Sequence, residues 1–134
     1  MLNDSFSFFF NASPETTNIT GLISKPPNPS YAVEGKNFTL EWTYTLLGTV
    51  SFAQFAILNY DGRDQNIGTR SGPGSVTGQG QFQARFRAHV TDTRAELTIL
   101  AVQISDEKTY KINVFETNGG SVSEVVPLVV NCKY

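Results

Sequence analysis

The chain has 134 residues, enough for one domain with a hydrophobic core. Hydrophobic residues make up 40% and aromatic residues 12%, which is typical of a globular rather than a disordered chain, and charged residues make up only 16%, below the roughly 25% usual for soluble domains. A net charge of -2 argues against a nucleic-acid-coating surface, and one His and one Cys leave little material for catalysis or a metal site. We therefore expect a binding module with no catalytic residue, no cofactor and no metal.

The N-terminal region combines glycosylation signals with a short aromatic stretch. The Phe-rich residues 6–10 predict an extra edge strand within a leader of residues 1–18, or a segment that pairs with a neighbouring chain. This stretch is too short for the apolar region of a signal peptide, so an exported protein would have lost its targeting segment. Sequons of the form Asn-x-Ser/Thr indicate export and predict N-glycosylation at Asn3, Asn11, Asn18 and Asn37. The lone Cys132 forms no internal disulfide, which by itself favours a reducing compartment.

From residue 19 onward, the hydrophobic pattern has a period of two. The alternation over Phe38–Tyr44 and over Tyr110–Val114 predicts strands with one buried face. Turn-forming Pro, Gly and Asn residues separate about eight such runs, and no stretch has a convincing helical period. The sequence therefore predicts an all-β sandwich or barrel.

Two segments resemble the immunoglobulin superfamily. Gly35–Trp42 looks like the strand B pattern G-x-x-φ-T-L-x-C, and Leu97–Ile112 is similar to the strand E to F pattern L-T-I-x-x-V-x-x-x-D-x-x-x-Y-x-C. The resemblance implies a two-sheet Greek-key sandwich of V-set type in residues 19–131, followed by a linker of residues 132–134 to further parts of a longer chain. The strands are then expected as follows: A at 19–24, A′ at 30–33, B at 37–44, C at 51–58, C′ at 65–69, D at 82–88, E at 95–100, F at 109–116 and G at 122–130. The Gly-rich segment 71–80 would replace or shorten strand C″.

The resemblance also implies two structural interactions near strand F. The tyrosine corner of the family falls on Tyr110, whose hydroxyl would bond back to the chain before that strand. The Arg–Asp bridge of the family falls on Arg85 and Asp106.

The sequence departs from the family at its disulfide. Trp42 and Ile112 occupy the two cysteine positions, and Phe55 replaces the strand C tryptophan. We interpret Trp42 as a core residue that packs on Ile112 and Phe55, because a buried aromatic side chain contributes about as much stability as a disulfide, roughly 2 kcal/mol. This disulfide-free pattern resembles V-set-like domains of invertebrate, cnidarian-type cell-surface receptors.

Strand C is apolar on both faces, which suggests a docking surface. If Phe55 faces the core, the outer face of strands C and F carries an exposed apolar cluster with a polar rim, next to the hairpin that contains Asn118 and Gly119. The apolar cluster would hold Ala56, Leu58 and Phe115, and the rim would hold Gln54, Lys111 and Asn113. The alternative is that a loop buries strand C, or that its register differs by one residue.

These patterns favour the extracellular recognition or adhesion domain of a cell-surface receptor. It would bind a protein partner, preferably a second copy in a weak homodimer, and would meet a membrane only through an anchor outside this sequence. The alternative is a structural immunoglobulin-like bead of a tandem array with no specific ligand. His89 fits an ordinary rim histidine, and the spacing of Asp61, Asp64 and Asn66 departs from a calcium loop, so a polar turn is expected there.

Overall fold

The structure is a computed structural model that describes residues 19–132. Strands make up 57% of these residues and helices 6%. The short 3-10 helices lie at Gly80–Gln83 and Ile104–Asp106. The strands are β1 (Gly21–Ser24), β2 (Ser30–Val33), β3 (Phe38–Thr45), β4 (Val50–Leu58), β5 (Asp64–Ser71), β6 (Thr77–Gly78), β7 (Phe86–Val90), β8 (Arg94–Ile99), β9 (Thr109–Glu116) and β10 (Ser121–Asn131).

These strands form two sheets, which confirms the predicted sandwich. One sheet has four strands in the order β1-β3-β8-β7, and the other has six in the order β2-β10-β9-β4-β5-β6. Neighbouring strands are antiparallel except β2 and β10, which are parallel. We call the outward-facing side chains of the six-stranded sheet the six-strand face, and those of the other sheet the four-strand face.

The period-two pattern explains how the core lies between the sheets. On β3, Trp42 and its inward-facing neighbours are buried while the residues between them face solvent. On β9, Ile112 and the residues two positions either side are buried in the same way. The Trp42 and Phe55 rings meet across the sandwich with their centroids 6.2 Å apart. Because Cys132 is the only cysteine, no disulfide joins the two sheets, and the core is held together by packing.

The predicted strand bounds agree with the structure to within two residues except at strand D. Residues 109–116 and 30–33 form strands with the predicted bounds, and the expected C″ is reduced to the two residues of β6. Strand D begins at Phe86 rather than at residue 82, because Gly80 adopts a positive φ of 49° and starts a 3-10 turn. The turn brings the Phe82 ring to 5.4 Å from the Phe86 ring, whereas residues four apart in a strand are separated by about 13 Å.

Part of the sequence lies outside this description. The leader with the sequons at Asn3, Asn11 and Asn18 precedes the described residues, and the linker beyond Cys132 follows them. Between residues 19 and 132, no helix is long and apolar enough to cross a bilayer.

Candidate protein-binding face

On its central strands β3 and β8 the four-strand face is polar and its side chains pair with one another, while Ile23 on the edge strand β1 is 69% exposed. Arg94 lies 3.4 Å from a Glu41 carboxylate oxygen and 3.7 Å from a Glu96 carboxylate oxygen. The hydroxyls of Thr39 and Thr98 are 2.7 Å apart on neighbouring strands. His89 is an exposed residue of this face on β7, as expected of a rim histidine. Desolvating this charged surface against a partner would be costly.

The six-strand face carries exposed apolar groups at two ends. At the end that holds the β9–β10 hairpin, Phe52 and Phe115 are cross-strand neighbours with ring centroids 6.2 Å apart, and Phe115 is 45% exposed. Toward the opposite end, Tyr31 on β2 is 61% exposed, with Val33 and Val125 also exposed. Phe52 and Tyr31 were not identified from the sequence as members of this face. Phe52 lies two residues before Gln54 on the same strand and therefore points to the same side, so the period of two could have identified it.

A row of hydrogen-bonded polar side chains crosses the middle of this face. Ser123 donates to Asn113 at 2.7 Å, Asn113 donates to Gln54 at 3.4 Å, and Gln54 donates to Asn66 at 3.4 Å. These four residues lie on β10, β9, β4 and β5, so the row spans four neighbouring strands. The predicted polar residues Gln54 and Asn113 therefore lie between the two apolar ends rather than around a single apolar centre.

The prediction that Ala56 is exposed was wrong. Ala56 does lie between Lys111 and Asn66 in the sheet register, but it is fully buried. The Lys111 ammonium reaches across β4 to the Asp64 carboxylate at 3.0 Å, so the lysine stem covers the small alanine side chain. Ala56 is therefore not part of the exposed surface.

The predicted cluster of Leu58 with Phe115 was also wrong. Because β4 and β9 are antiparallel, Phe115 pairs with Phe52, and Leu58 pairs with Thr109 at the other end. Leu58 lies six residues along the strand from Phe52, which is about 20 Å. Leu58 is half-buried and lines a groove of about 490 Å³ together with Tyr60, Pro127 and Val129.

The loops at the hairpin end are held together by Glu116, which sequence reasoning did not single out. Its buried carboxylate accepts hydrogen bonds from the Thr20 hydroxyl at 2.6 Å, the Leu47 N–H at 2.7 Å and the Gly48 N–H at 3.4 Å. The hydrogen bond from Thr20, together with those from the loop N–H groups, holds the pKa of Glu116 below its usual value despite burial. The other carboxylate oxygen has no partner among the described residues.

The predicted hairpin residues lie beside this carboxylate. Asn118 and Gly119 are exposed in the turn between β9 and β10, and Gly119 has a positive φ of 91° that suits a glycine. The Thr117 N–H donates to the Thr49 carbonyl at 2.9 Å, which joins the hairpin to the β3–β4 loop. The two loops therefore form one connected surface next to Phe115.

The opposite end of the sandwich contains the Arg–Asp bridge and tyrosine corner that the resemblance implied. The Arg85 guanidinium donates two hydrogen bonds to the Asp106 carboxylate, at 2.7 and 3.0 Å. The Tyr110 hydroxyl donates to the Asp106 carbonyl at 2.7 Å. Burial alone would raise the pKa of Asp106, but the hydrogen bonds from Arg85 and from the Gln103 N–H lower it. Burial also raises the pKa of Tyr110, so its hydroxyl stays protonated and donates.

The remaining predicted residues have structural surroundings. Asn37 is exposed directly before β3, and its side-chain carbonyl accepts a 2.9 Å hydrogen bond from the Ala101 N–H. Asp61 accepts from the Arg63 N–H at 2.9 Å within the β4–β5 turn, as expected of a polar turn. In residues 19–132, no group of three or more His, Cys, Asp or Glu side chains is placed to hold a metal ion.

Strand order and core together define an immunoglobulin-like β sandwich of variable type, because strands equivalent to C′ and C″ extend the larger sheet. Among solved structures, the chain is similar to murine CRIg, a V-like domain of the immunoglobulin superfamily, with a TM-score of 0.69 and 17% identity over 84% of this chain and 98% of that chain. No protein-family model matches the sequence. No curated protein matches it either. At this identity the likeness shows the fold, and function has to be argued from the site.

Proposed function

We propose that this chain is the extracellular recognition domain of a cell-surface receptor and that it binds a protein partner through the six-strand face. The contrast between the two faces carries this proposal. The central strands of the four-strand face, β3 and β8, pair their charges internally, whereas the six-strand face leaves Phe115 and Tyr31 exposed on either side of a polar row. Aromatic side chains flanked by polar groups are typical of protein interfaces.

The preferred partner is a second copy of the chain. The charged groups of the six-strand face include Lys111 and Asp64, which neutralise each other, so two copies of this region would meet without strong repulsion. A sheet face of this kind also suits a two-fold interface in which the same patch contributes from both copies. The Asn118–Gly119 hairpin and the β3–β4 loop would extend the contact beyond Phe115.

Sedimentation velocity over a wide concentration range tests this proposal. The secreted chain with Cys132→Ser is compared with Phe115→Asp and Tyr31→Asp on the six-strand face, and with His89→Asp on the four-strand face as a matched control. We expect reversible dimerisation that both six-strand substitutions weaken and that the control retains.

Two outcomes would contradict the proposal at different levels. A strict monomer at the highest concentrations would overturn self-recognition, and dimers that survive both aspartate substitutions would overturn the assignment of the face. A chain that reaches the secretory pathway yet has the mass of the bare polypeptide would favour the structural bead instead.

A further inference from the structure

We propose that Asn37 carries an N-linked oligosaccharide in the folded protein, and that this glycan covers the four-strand face and leaves the six-strand face open. The inference rests on the export of the chain that the proposed function requires. Beyond the sequon itself, it assigns the face that the glycan covers and gives a reason why recognition is confined to the other face. Three observations support it: the sequon, the orientation of the Asn37 amide, and its place on the sheet.

The orientation of the Asn37 amide is fixed by a backbone contact. Its Oδ1 accepts the Ala101 N–H at 2.9 Å, and Ala101 has a φ of 48°, the one non-glycine residue with positive φ among residues 19–132. Because the side-chain amide is planar, Nδ2 points away from Ala101 when Oδ1 accepts its N–H. Asn37 is exposed, and within the described part of the chain Nδ2 has no hydrogen-bond partner. The nitrogen that accepts a sugar is therefore the free end of the amide.

The position of Asn37 in the sheet decides which face a glycan would cover. Asn37 immediately precedes β3 and lies two residues before Thr39. Because side chains alternate along a strand, Asn37 points to the same side as Thr39 and Glu41, which belong to the four-strand face. It lies at the end of β3 farthest from the β9–β10 hairpin. A glycan on Nδ2 would begin at the rim of the four-strand face, and the two packed sheets, about 10 Å apart, would separate it from Phe115.

The chemistry of attachment leaves the structural contact of Asn37 intact. The Nδ2 atom attacks C1 of the first sugar of an oligosaccharide linked to a lipid diphosphate, and a C1–N bond forms. The C1–O bond to the diphosphate breaks, the lipid diphosphate leaves with the electron pair, and the amide nitrogen releases one proton to a base. The Oδ1 atom is unchanged, so it still accepts from the Ala101 N–H after modification.

Site mapping tests the modification directly. The chain is expressed through a eukaryotic secretory pathway, treated with a peptide N-glycosidase in 18O-water, and analysed by peptide mass spectrometry. We expect 18O-labelled Asp at position 37 in the wild type and in Thr39→Ser, which keeps the sequon. We expect no label in Thr39→Ala or in Asn37→Asp, and Asn37→Asp keeps an oxygen that can accept from Ala101.

A labelling experiment tests which face the glycan covers. Single cysteines replace Glu41 on the four-strand face or Ser123 on the six-strand face, in a Cys132→Ser background. Coupling to a polyethylene glycol maleimide is timed in chains with Asn37 or with Asn37→Asp, all of which keep the other three sequons. We expect Asn37→Asp to speed coupling severalfold at position 41 and to leave coupling at position 123 unchanged.

The outcomes separate this inference from the proposed function. A chain that is secreted with Asn37 unmodified and another sequon glycosylated overturns the modification at Asn37 and leaves the receptor proposal standing. Equal changes in coupling at positions 41 and 123 overturn the assignment of the covered face. A chain that cannot enter the secretory pathway overturns the extracellular function, and the modification with it.

Discussion

The carboxylate of Glu116 accepts a 2.7 Å hydrogen bond from the backbone N–H of Leu47, which lies 69 residues earlier in the chain. The same carboxylate oxygen accepts the Thr20 hydroxyl, so one side chain at the end of β9 joins the start of the domain to the β3–β4 loop. Buried carboxylates need such donors, because an unpaired charge inside a protein is costly. Glu116 therefore positions the loops that lie beside Phe115.

Replacing Glu116 by Ala should loosen these loops without unfolding the sandwich. The Leu47 and Gly48 N–H groups would lose their shared acceptor and exchange with solvent more quickly. Amide hydrogen exchange measured by NMR checks this, with the β3 amides as the internal reference. Glu116→Gln keeps a carbonyl oxygen as acceptor and should show an intermediate effect. Unchanged exchange at Leu47 and Gly48 in the alanine variant would contradict the positioning role.

Acid should destabilise the fold through Asp106 and Glu116. Both carboxyls have a pKa lowered by hydrogen bonds in the folded protein, from 3.8 for Asp106 and 4.5 for Glu116. Their contribution to the free energy of unfolding is therefore fully present above the unfolded-state pKa and is lost as the pH falls through the folded-state pKa. Urea unfolding from neutral pH down to about pH 2 should show this loss, and Asp106→Asn should make the decrease shallower. A parallel decrease in that variant would contradict the role of Asp106.

Tyr110→Phe should lower the free energy of unfolding by about 1–3 kcal/mol, because it leaves the Asp106 carbonyl without its buried donor. Chemical denaturation at neutral pH measures the change. Tyr31→Phe removes the same hydroxyl from an exposed position and is the matched control, for which we expect little change. Similar losses in both variants would show that the buried hydrogen bond contributes nothing specific.

Trp42 should be the most sensitive position of the core. It is fully buried at a position where the resemblance implies a disulfide cysteine, and Trp42→Ala should cost about 3–5 kcal/mol by leaving a cavity. Trp42→Phe should cost less, because the lost contact area is smaller and the indole N–H, which has no partner among the described residues, is removed with it. Thermal and urea unfolding compare the two, and an equal loss would contradict this account.

Leu58 and Phe115 should act independently in partner binding. Their separation of about 20 Å along the sheet is beyond the range at which substitutions usually couple. We expect the changes in dimerisation free energy of Leu58→Asp and Phe115→Asp to add in the double variant, with circular dichroism to verify that Leu58→Asp stays folded. Strong coupling would contradict this expectation and would indicate that Leu58 of one copy meets Phe115 of the other across the dimer interface.

The sequence was sufficient for the features that depend on local pattern. Alternation on β3 and β9 identified the strands and their buried faces, because side chains in a strand point to opposite sides in turn. The motif around Asp106 and Tyr110 was informative for a similar reason, since its interactions lie within a few residues of each other. Arg85 could be named only through the resemblance.

Features that depend on pairing between distant strands could not be read in advance. The alternation of β4 correctly placed Leu58 on the outer face, but only the register of β4 against β9 places it far from Phe115. The burial of Ala56 depends on Lys111 reaching Asp64 across another strand, and the role of Glu116 depends on two loops far apart in sequence.

The amino-acid sequence by itself determined that this protein is an all-β sandwich or barrel, which residues of β3 and β9 face its core, and where its sequons lie, because period, turn residues and short motifs are properties of neighbouring positions. The tertiary structure alone decided which side chains share a surface. Register and sheet order bring Phe52 to Phe115, bury Ala56 under Lys111 and place Phe115 and Tyr31 on the same face. Contacts of this kind are set by long-range pairing and packing, which no local pattern specifies.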